Sequence, residues 1–418
     1  MQAVIAIPAF AARIDRQKAA ELLMYPVAGV PLLKRIVLTA SRAGATDILL
    51  ICPKCLNHAS LQKFSEEVFQ YGSRISVIQF GTFNPLDASN WARLEAHLRD
   101  QFLWIPWNWV TTKQFLINLP LLTMVSVDWA KPAPISLHEV GREHHVCTPP
   151  FPQTDGIRVT SPESIGNAER FLVAHSGKVL DGIHTSFNRR LCRPFVRLLS
   201  YTSVTPNAVT FGGVIVSIVS YFAFAHGGYL YSVLGALLFY IAGLFDEMDG
   251  MLARIKFAET PRGTWLEGFA DGLSYLLLFG GITIGLSHRY GRPAILMGIL
   301  LLVGAVLALL TTSLQRRRAT KADRPNEYLG RMYQLLDKDS GNWISRVVRQ
   351  LQAFVRRGIL VHYILIFTLI GALPLIFVLA TLGAHLTWIL TLYFNRRFFS
   401  QSFYTGATPT GNTIKETL

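Results

Sequence analysis

The spacing of apolar residues changes character near residue 160. Before that point, "AVIAIPAF", "DILLIC" and "ISVIQFG" are short, β-branched apolar runs of strand length. Between the first two, "GVPLLKRIVLTASRAGA" repeats its apolar positions at helical spacing. Strand-helix-strand succession predicts a mostly parallel α/β sheet over residues 1–160. The aromatic run "FLWIPWNWVTTKQFLINLP" fits a core strand and its turn, and the Pro-rich "CTPPFPQTDG" a linker loop. The opening "MQAVIAIPAFAARIDR" lacks the basic stretch of a signal peptide and its apolar run is short, so it is expected to be a buried strand.

After residue 160 the period becomes helical. In "SPESIGNAERFLVAHS", Ser161 is placed to cap a helix that Pro162 opens. In "FNRRLCRPFVRLL", Leu191, Phe195, Leu198 and Leu199 oppose Arg189, Arg190, Arg193 and Arg197, the pattern of a helix lying in a bilayer interface. Residues 161–204 are therefore expected to connect the α/β part to the membrane. Six apolar spans follow, at 207–225, 229–248, 264–286, 292–314, 358–373 and 374–394, and most reach the roughly 20 residues a bilayer requires. They predict an all-α, six-helix transmembrane bundle over 205–400. Between spans four and five, "GNWISRVVRQLQAFVRR" sets Ile344, Val347, Val348, Leu351, Phe354 and Val355 on one face, a second interfacial helix expected to cover a site. Residues 401–418 are polar and expected to be disordered.

Composition agrees with this division. Hydrophobic residues make up 51% of the 418 positions and charged residues 16%, below the roughly 25% of soluble domains. The net charge of +14 decides less than where the bases fall. "RRLCRPFVR", "RIKFAETPR", "LQRRRATK" and "FNRRF" all lie on one side of the six spans, whereas "AHGG", "SHRYGR" and "GALP" lie on the other. This asymmetry places both ends in the cytoplasm, at a cell inner membrane, and favours contact with membrane lipids over nucleic acid. The 4 cysteines are too few for a disulfide framework. "CPKC", with Cys52 and Cys55, could bind metal with His58, His144 and His145, but it reads better as the end of a strand because no second pair occurs.

The chemistry concentrates in "GLFDEMDGMLARIKFAETPRGTWLEGFADGL". Asp246 and Asp249 are three apart near the end of span two, and Glu267 and Asp271 are four apart at the start of span three, so each pair shares a helix face. A short turn between the spans lets the faces meet. Four converging carboxylates repel one another unless a divalent cation offsets them, and an all-oxygen set suits Mg²⁺ or Mn²⁺ in a two-metal site acting on a pyrophosphate. Gly250 leaves room for a ligand, and Arg254 adds a cation for phosphate charge. The opposing reading pairs these acids with Arg254, Lys256 and Arg262 as ordinary interfacial charges.

The same stretch resembles the signature of the CDP-alcohol phosphatidyltransferase family, D-x2-D-G-x2-A-R-x8-G-x3-D-x3-D. Asp246, Asp249, Gly250, Ala253, Arg254, Gly263 and Asp271 stand at the matching positions, and Glu267 replaces the third aspartate. The upstream "TPNAVT" and the six spans extend the resemblance over roughly 175–395. The resemblance implies that Asp246, Asp249, Glu267 and Asp271 hold metal and that Asp271 is the catalytic base on the acceptor alcohol. It further implies that Gly250, Ala253, Arg254, Gly263 and Asn207 line the CDP moiety. It also implies a CDP-alcohol donor, a lipid or small polyol acceptor and a homodimer.

"PVAGVPLLKRIVLTASRAGATDILLI" is similar to sugar-phosphate nucleotidyltransferases, but the Gly-rich phosphate loop and its lysine are missing from the preceding "PAFAARIDRQKAAELLMY". An inactive nucleotidyltransferase-like domain is expected. The pairing resembles bifunctional enzymes of di-myo-inositol phosphate synthesis. A non-catalytic membrane scaffold with a partner-binding soluble domain is the competing class.

Overall fold

The computed structural model describes residues 1–7, 21–53, 72–81, 83–85, 87–119, 132–136, 156–177, 183–319, 328–339, 341–355 and 357–399. The chain divides into two compact units. One comprises Met1–Ser176, Arg193–Ser203 and Met251–Ala258; the other comprises Gly177–Cys192, Val204–Gly250 and Glu259–Leu418.

The first unit is built on a five-stranded sheet. Its strands are β1 (Gln2–Ala6), β2 (Asp47–Pro53), β3 (Arg74–Phe80), β4 (Gln101–Pro106) and β5 (Ala133–Ser136), in the order β3-β2-β1-β4-β5. The first four are parallel, with Val4 opposite Leu49 on one side and Trp104 on the other, and β5 is antiparallel to β4. Both faces of the inner strands are apolar, as a covered parallel sheet requires. On one face Phe102 and Trp104 pack with Phe83 and Trp91, so the aromatic run is a core strand. The expected signal-like start is the buried strand β1. Cys52 is buried near the end of β2; Cys55, His58, His144 and His145 lie outside the described residues, as does the stretch that replaces the phosphate loop.

Three of this unit's described helices add to its interior. Helix α1 (Leu32–Arg42) buries Leu33, Ile36, Val37 and Ala40. Helix α2 (Pro162–Ala174) begins as its sequence predicts, with Ser161 and Ser164 forming a reciprocal cap. The third, α3 (Ile183–Ser200), supplies its last turns, from Arg193. Gly29, at φ +77°, faces them so closely that a Cβ would lie 1.9 Å from the Ser200 carbonyl oxygen. Glu169 accepts from the Ala28 amide at 3.1 Å and from Arg197 Nε at 2.9 Å. Arg35 is buried beside them, and burial pushes its guanidinium down to about 9 against the opposing pull of Glu169, so it stays charged at neutral pH.

The second unit is helical: α4 (Pro206–His226), α5 (Tyr229–Ile255), α6 (Pro261–Tyr290), α7 (Arg292–Ala319), α8 (Tyr328–Lys338), α9 (Trp343–Val355), α10 (Arg357–Leu369) and α11 (Leu373–Phe399). Five of these, α4 to α7 and α11, are long and apolar enough to cross a membrane, and they make the chain an integral membrane protein. Among the described residues the count of such helices is five, against the six expected. Helix α10 has 13 residues, about 20 Å at 1.5 Å per residue, short of a hydrocarbon core about 30 Å thick. It stops where Gly371 takes φ +73°, before Pro374 in the first turn of α11. Phe211, Ile215, Phe222 and Leu296 remain on the outer surface, as lipid-facing positions do.

Close helix crossings organise the bundle. A Cβ on Gly285 would lie 2.1 Å from the Phe224 carbonyl oxygen, and one on Gly281 would lie 2.6 Å from that of Tyr221. Small residues thus let α4 and α6 pack backbone to backbone. Phe224, Phe239, Leu278, Ile282, Leu301, Ile364 and Phe377 fill the interior. In helix α9, Ile344 and Val348 pack against Met332, Leu336 and Phe394 of α8 and α11.

Candidate active site

The signature begins inside a helix. The sequence pattern ends span two at 248, but α5 runs on to Ile255, because Gly250 and the residues after it continue the helix. Asp246, Glu247, Asp249, Gly250, Ala253 and Arg254 therefore share one helix. The next helix also starts earlier than expected: Thr260 caps α6 by accepting from the Gly263 amide, and Pro261 occupies the first turn. Only Lys256–Thr260 are left as the turn between them.

Asp246, Asp249 and Asp271 line one cavity of about 130 Å³. Helix α5 supplies the first two and α6 the third. Thr210 and Gly213 of α4, Thr185 and Asn188 of α3, and Ser274 and Tyr275 of α6 complete the polar wall, with Phe239, Val214 and Val361 on the apolar side. Asp249 is 4% exposed, and its Oδ2 accepts from the Thr210 hydroxyl at 2.5 Å. That bond fixes the carboxylate's orientation across two helices. Asp246 also lies within electrostatic reach of Asp271, Asp249, Glu267 and Glu247.

The remaining expected residues are placed differently. Glu267 is half-buried one turn before Asp271 and does not line the cavity. Asn207 and Gly263 are neighbours at the starts of α4 and α6, since a Cβ on Gly263 would lie 3.6 Å from Asn207 Oδ1. Gly250 follows Asp249 outside the cavity lining. Ala253 and Arg254 belong to the sheet-bearing unit, where Arg254 Nε donates to the Ser176 carbonyl.

Glu247 is a fourth acid on the lining, but it has a partner. Arg189 Nε donates to Glu247 Oε2 at 2.9 Å, with the two side chains 10% and 16% exposed. Part of the polar side of α3 therefore packs inward: Asn188 accepts from the Tyr240 hydroxyl at 2.9 Å, and Cys192 lies 3.5 Å from the Leu244 carbonyl. Burial, with Glu247 adding to it, pushes the Cys192 thiol up to about 12, so it is inert at neutral pH. Phe187, Leu191, Phe195 and Leu198 form the outward stripe. The sequence pattern identifies this stripe but does not show that Asn188 and Arg189 face the signature helix. Thr210, Thr185 and Asn188 were not expected at the site. The only signal for Thr210 is its place one turn after Asn207 on α4.

The donor set suits a hard divalent cation in kind, since carboxylates and hydroxyls are all oxygen ligands. Among the described residues, however, no three His, Cys, Asp or Glu side chains are gathered closely enough to hold one. Asp246, Asp249 and Asp271 would be the residues to do so, because they share the cavity.

Residues 203–393 match the CDP-alcohol phosphatidyltransferase family profile. The match covers α4 to α7, the short α10 and most of α11, and leaves the sheet outside it. No curated protein matches the chain.

Proposed function

The chain carries a CDP-alcohol phosphatidyltransferase domain over residues 203–393, and from that premise we propose that it transfers a phospho-alcohol group from a CDP-alcohol to a hydroxyl acceptor and releases CMP. Members of this family are transferases of substituted phosphate groups. The observation that carries the assignment to a site is the cavity holding Asp246, Asp249 and Asp271 from two successive membrane helices.

In the proposed reaction, Asp271 accepts the proton of the acceptor hydroxyl as that oxygen attacks the β-phosphorus. The new bond is acceptor oxygen to β-phosphorus. The bond to the oxygen bridging the α- and β-phosphorus breaks, and its electron pair leaves on CMP. Thr210 holds Asp249 in a fixed orientation. Arg189 neutralises Glu247, which keeps a further free negative charge away from an anionic donor. A divalent cation, Mg²⁺ or Mn²⁺, would offset the carboxylates and the charge developing on the pyrophosphate. Glu267 and Asp271 complete the proposed ligand set, and Arg254, Gly250, Ala253, Gly263 and Asn207 are assigned to the CDP moiety on the strength of the signature.

The donor is proposed to be of the CDP-diacylglycerol or CDP-inositol type, with a lipid or a small polyol as acceptor. The apolar wing of the cavity, formed by Phe239, Val214 and Val361, supports an alcohol that reaches into the bundle. The basic loops support a cytoplasmic site at an inner membrane, and the family resemblance supports a homodimer.

The test uses purified protein in detergent with Mg²⁺ or Mn²⁺ and a panel of CDP-alcohols. CMP release that falls by about 10²–10⁴-fold in Asp271→Asn supports the assignment, the range expected for loss of a general base. The absence of release from every donor, together with partner capture by residues 1–160, supports the scaffold reading instead.

A further inference from the structure

We infer that Arg35 is a positioning residue: from the α/β unit it holds the carboxyl end of α5, and thereby keeps Arg254 oriented for the donor's pyrophosphate. The inference deepens the phosphotransferase reading and rests on it. Arg35 stands far from the signature in sequence, in the stretch that resembles nucleotidyltransferases and that the membrane reaction does not use.

Arg35 is 2% exposed. Its Nε donates to the Val27 carbonyl at 2.9 Å, and its Nη2 donates to the carbonyls of Ala28 at 3.2 Å and Ile255 at 3.0 Å. Ile255 is the last residue of α5. The final carbonyls of a helix lack partners within it, and a cation placed there also meets the negative end of the helix dipole. The guanidinium carbon lies 5.3 Å from the centre of the Phe257 ring. Phe257 has φ +56°, a left-handed backbone that a bulky residue adopts only when its surroundings impose it. Arg42 Nη2 donates to the Phe257 carbonyl at 3.2 Å.

The end of α5 and the turn also reach back. Arg254 Nε donates to the Ser176 carbonyl, two residues beyond α2, and Lys256 Nζ donates to the Thr202 carbonyl at 2.7 Å. Arginines of α1 thus meet carbonyls of the turn, while cations of the turn meet carbonyls of the same α/β unit. A buried guanidinium is costly unless its donors are met. Here they are met by carbonyls of the "PVAGVP" turn and of α5, so neither can move without leaving the charge unpaired. An arginine ordered before the donor arrives need not be ordered by it, which lowers the cost of binding the nucleotide.

The full chain in lipid nanodiscs, with Arg35→Met, Arg35→Lys and Arg42→Met, provides the test. Hydrogen exchange of amides 251–258 reads the clamp directly, through the bonds from the Lys256 amide to Leu252 and from the Ala258 amide to Ala253. Exchange there is expected to rise by roughly tenfold in Arg35→Met, as losing one charged hydrogen bond implies, and by less in the other two. Steady-state CMP release is expected to show a similar rise in donor KM with acceptor KM unchanged, and Arg35→Lys to recover part of it. Unchanged exchange overturns the inference. So does faster exchange with an unchanged donor KM, or a loss of active fraction with both KM values unchanged, which is what a purely structural residue gives. If Arg35→Met does not fold, Arg35→Lys and Arg42→Met decide by the same readouts. A wild-type chain inactive toward every donor overturns the phosphotransferase reading and the donor half of this one, while the exchange arm still decides whether Arg35 holds the turn.

Discussion

Glu247 and Asp249 stand two residues apart on one helix and are stabilised by different means. Asp249 is held by a threonine hydroxyl across the helix interface, whereas Glu247 is neutralised by an arginine from α3. Removing one member of a mostly buried ion pair strands the other charge, so Arg189→Met is expected to destabilise the protein by about 3 kcal/mol. The double variant Arg189→Met, Glu247→Met should recover most of that, and denaturation midpoints in detergent measure both. At the signature, Glu267→Asp is expected to raise CMP release, since it shortens by one methylene the only acid that departs from the pattern. A rise of up to 10²-fold is the scale on which small misplacements act. Asp339 supplies a pH-dependent case. Hydrogen bonds from Arg397, Ser345 and Asn342 hold its carboxyl down to about 2 from the usual 3.8. A depressed carboxylate contributes its stability above the unfolded value and loses it as pH falls through the folded one. The difference in thermal midpoint between wild type and Asp339→Asn should therefore be full above pH 4 and close towards pH 2.

The start of α2 was legible in the sequence because its capping chemistry is local, and the same chemistry stands at α4 and α6, whose spans the apolar pattern began later, at 207 and 264. Ser161, Thr205 and Thr260 each precede a proline, and each accepts from an amide three residues on, at the start of α2, α4 and α6. Helix ends were less legible. The pattern stopped α5 at its charges, but a helix ends where its hydrogen bonding ends, and α5 carries those charges for two further turns. The orientation of α3 was half legible. Its apolar stripe was plain, but the same amphipathic pattern serves a helix whose polar side faces water or one whose polar side packs on protein. Helix crossings left no periodic signal, because a glycine in an apolar span reads as one more small residue. Gly285→Val is expected to prevent α4 and α6 from closing, with its added side chain forced onto the Phe224 carbonyl. Loss of monodisperse protein in size-exclusion chromatography, with Gly383→Val as the control because nothing lies within 4 Å of a Cβ there, measures it.

Across the molecule, the proposed chemistry makes activity depend on a divalent cation. Chelation is expected to abolish CMP release, and either Mg²⁺ or Mn²⁺ to restore it, because the acids on the cavity repel one another and an anionic donor until a cation offsets them. Titration of CMP release against free metal after exhaustive chelation measures this. Residual release without metal would remove the cation from the scheme.

The α/β order, the membrane composition, the five long apolar helices and the spacing of the signature follow from the sequence, because each depends on neighbours within a turn or two of chain. The fifth expected span did not survive, since its boundary rested on a glycine and a proline whose break fell too soon for a helix that could cross a bilayer. Only the tertiary structure decided which acids share a cavity, that Thr210 and Arg189 attend to them, and that the Met251–Ala258 segment belongs with the sheet. Those outcomes depend on hydrogen bonds and charge pairs between residues far apart in the chain, and single polar contacts of that kind impose no period on a sequence.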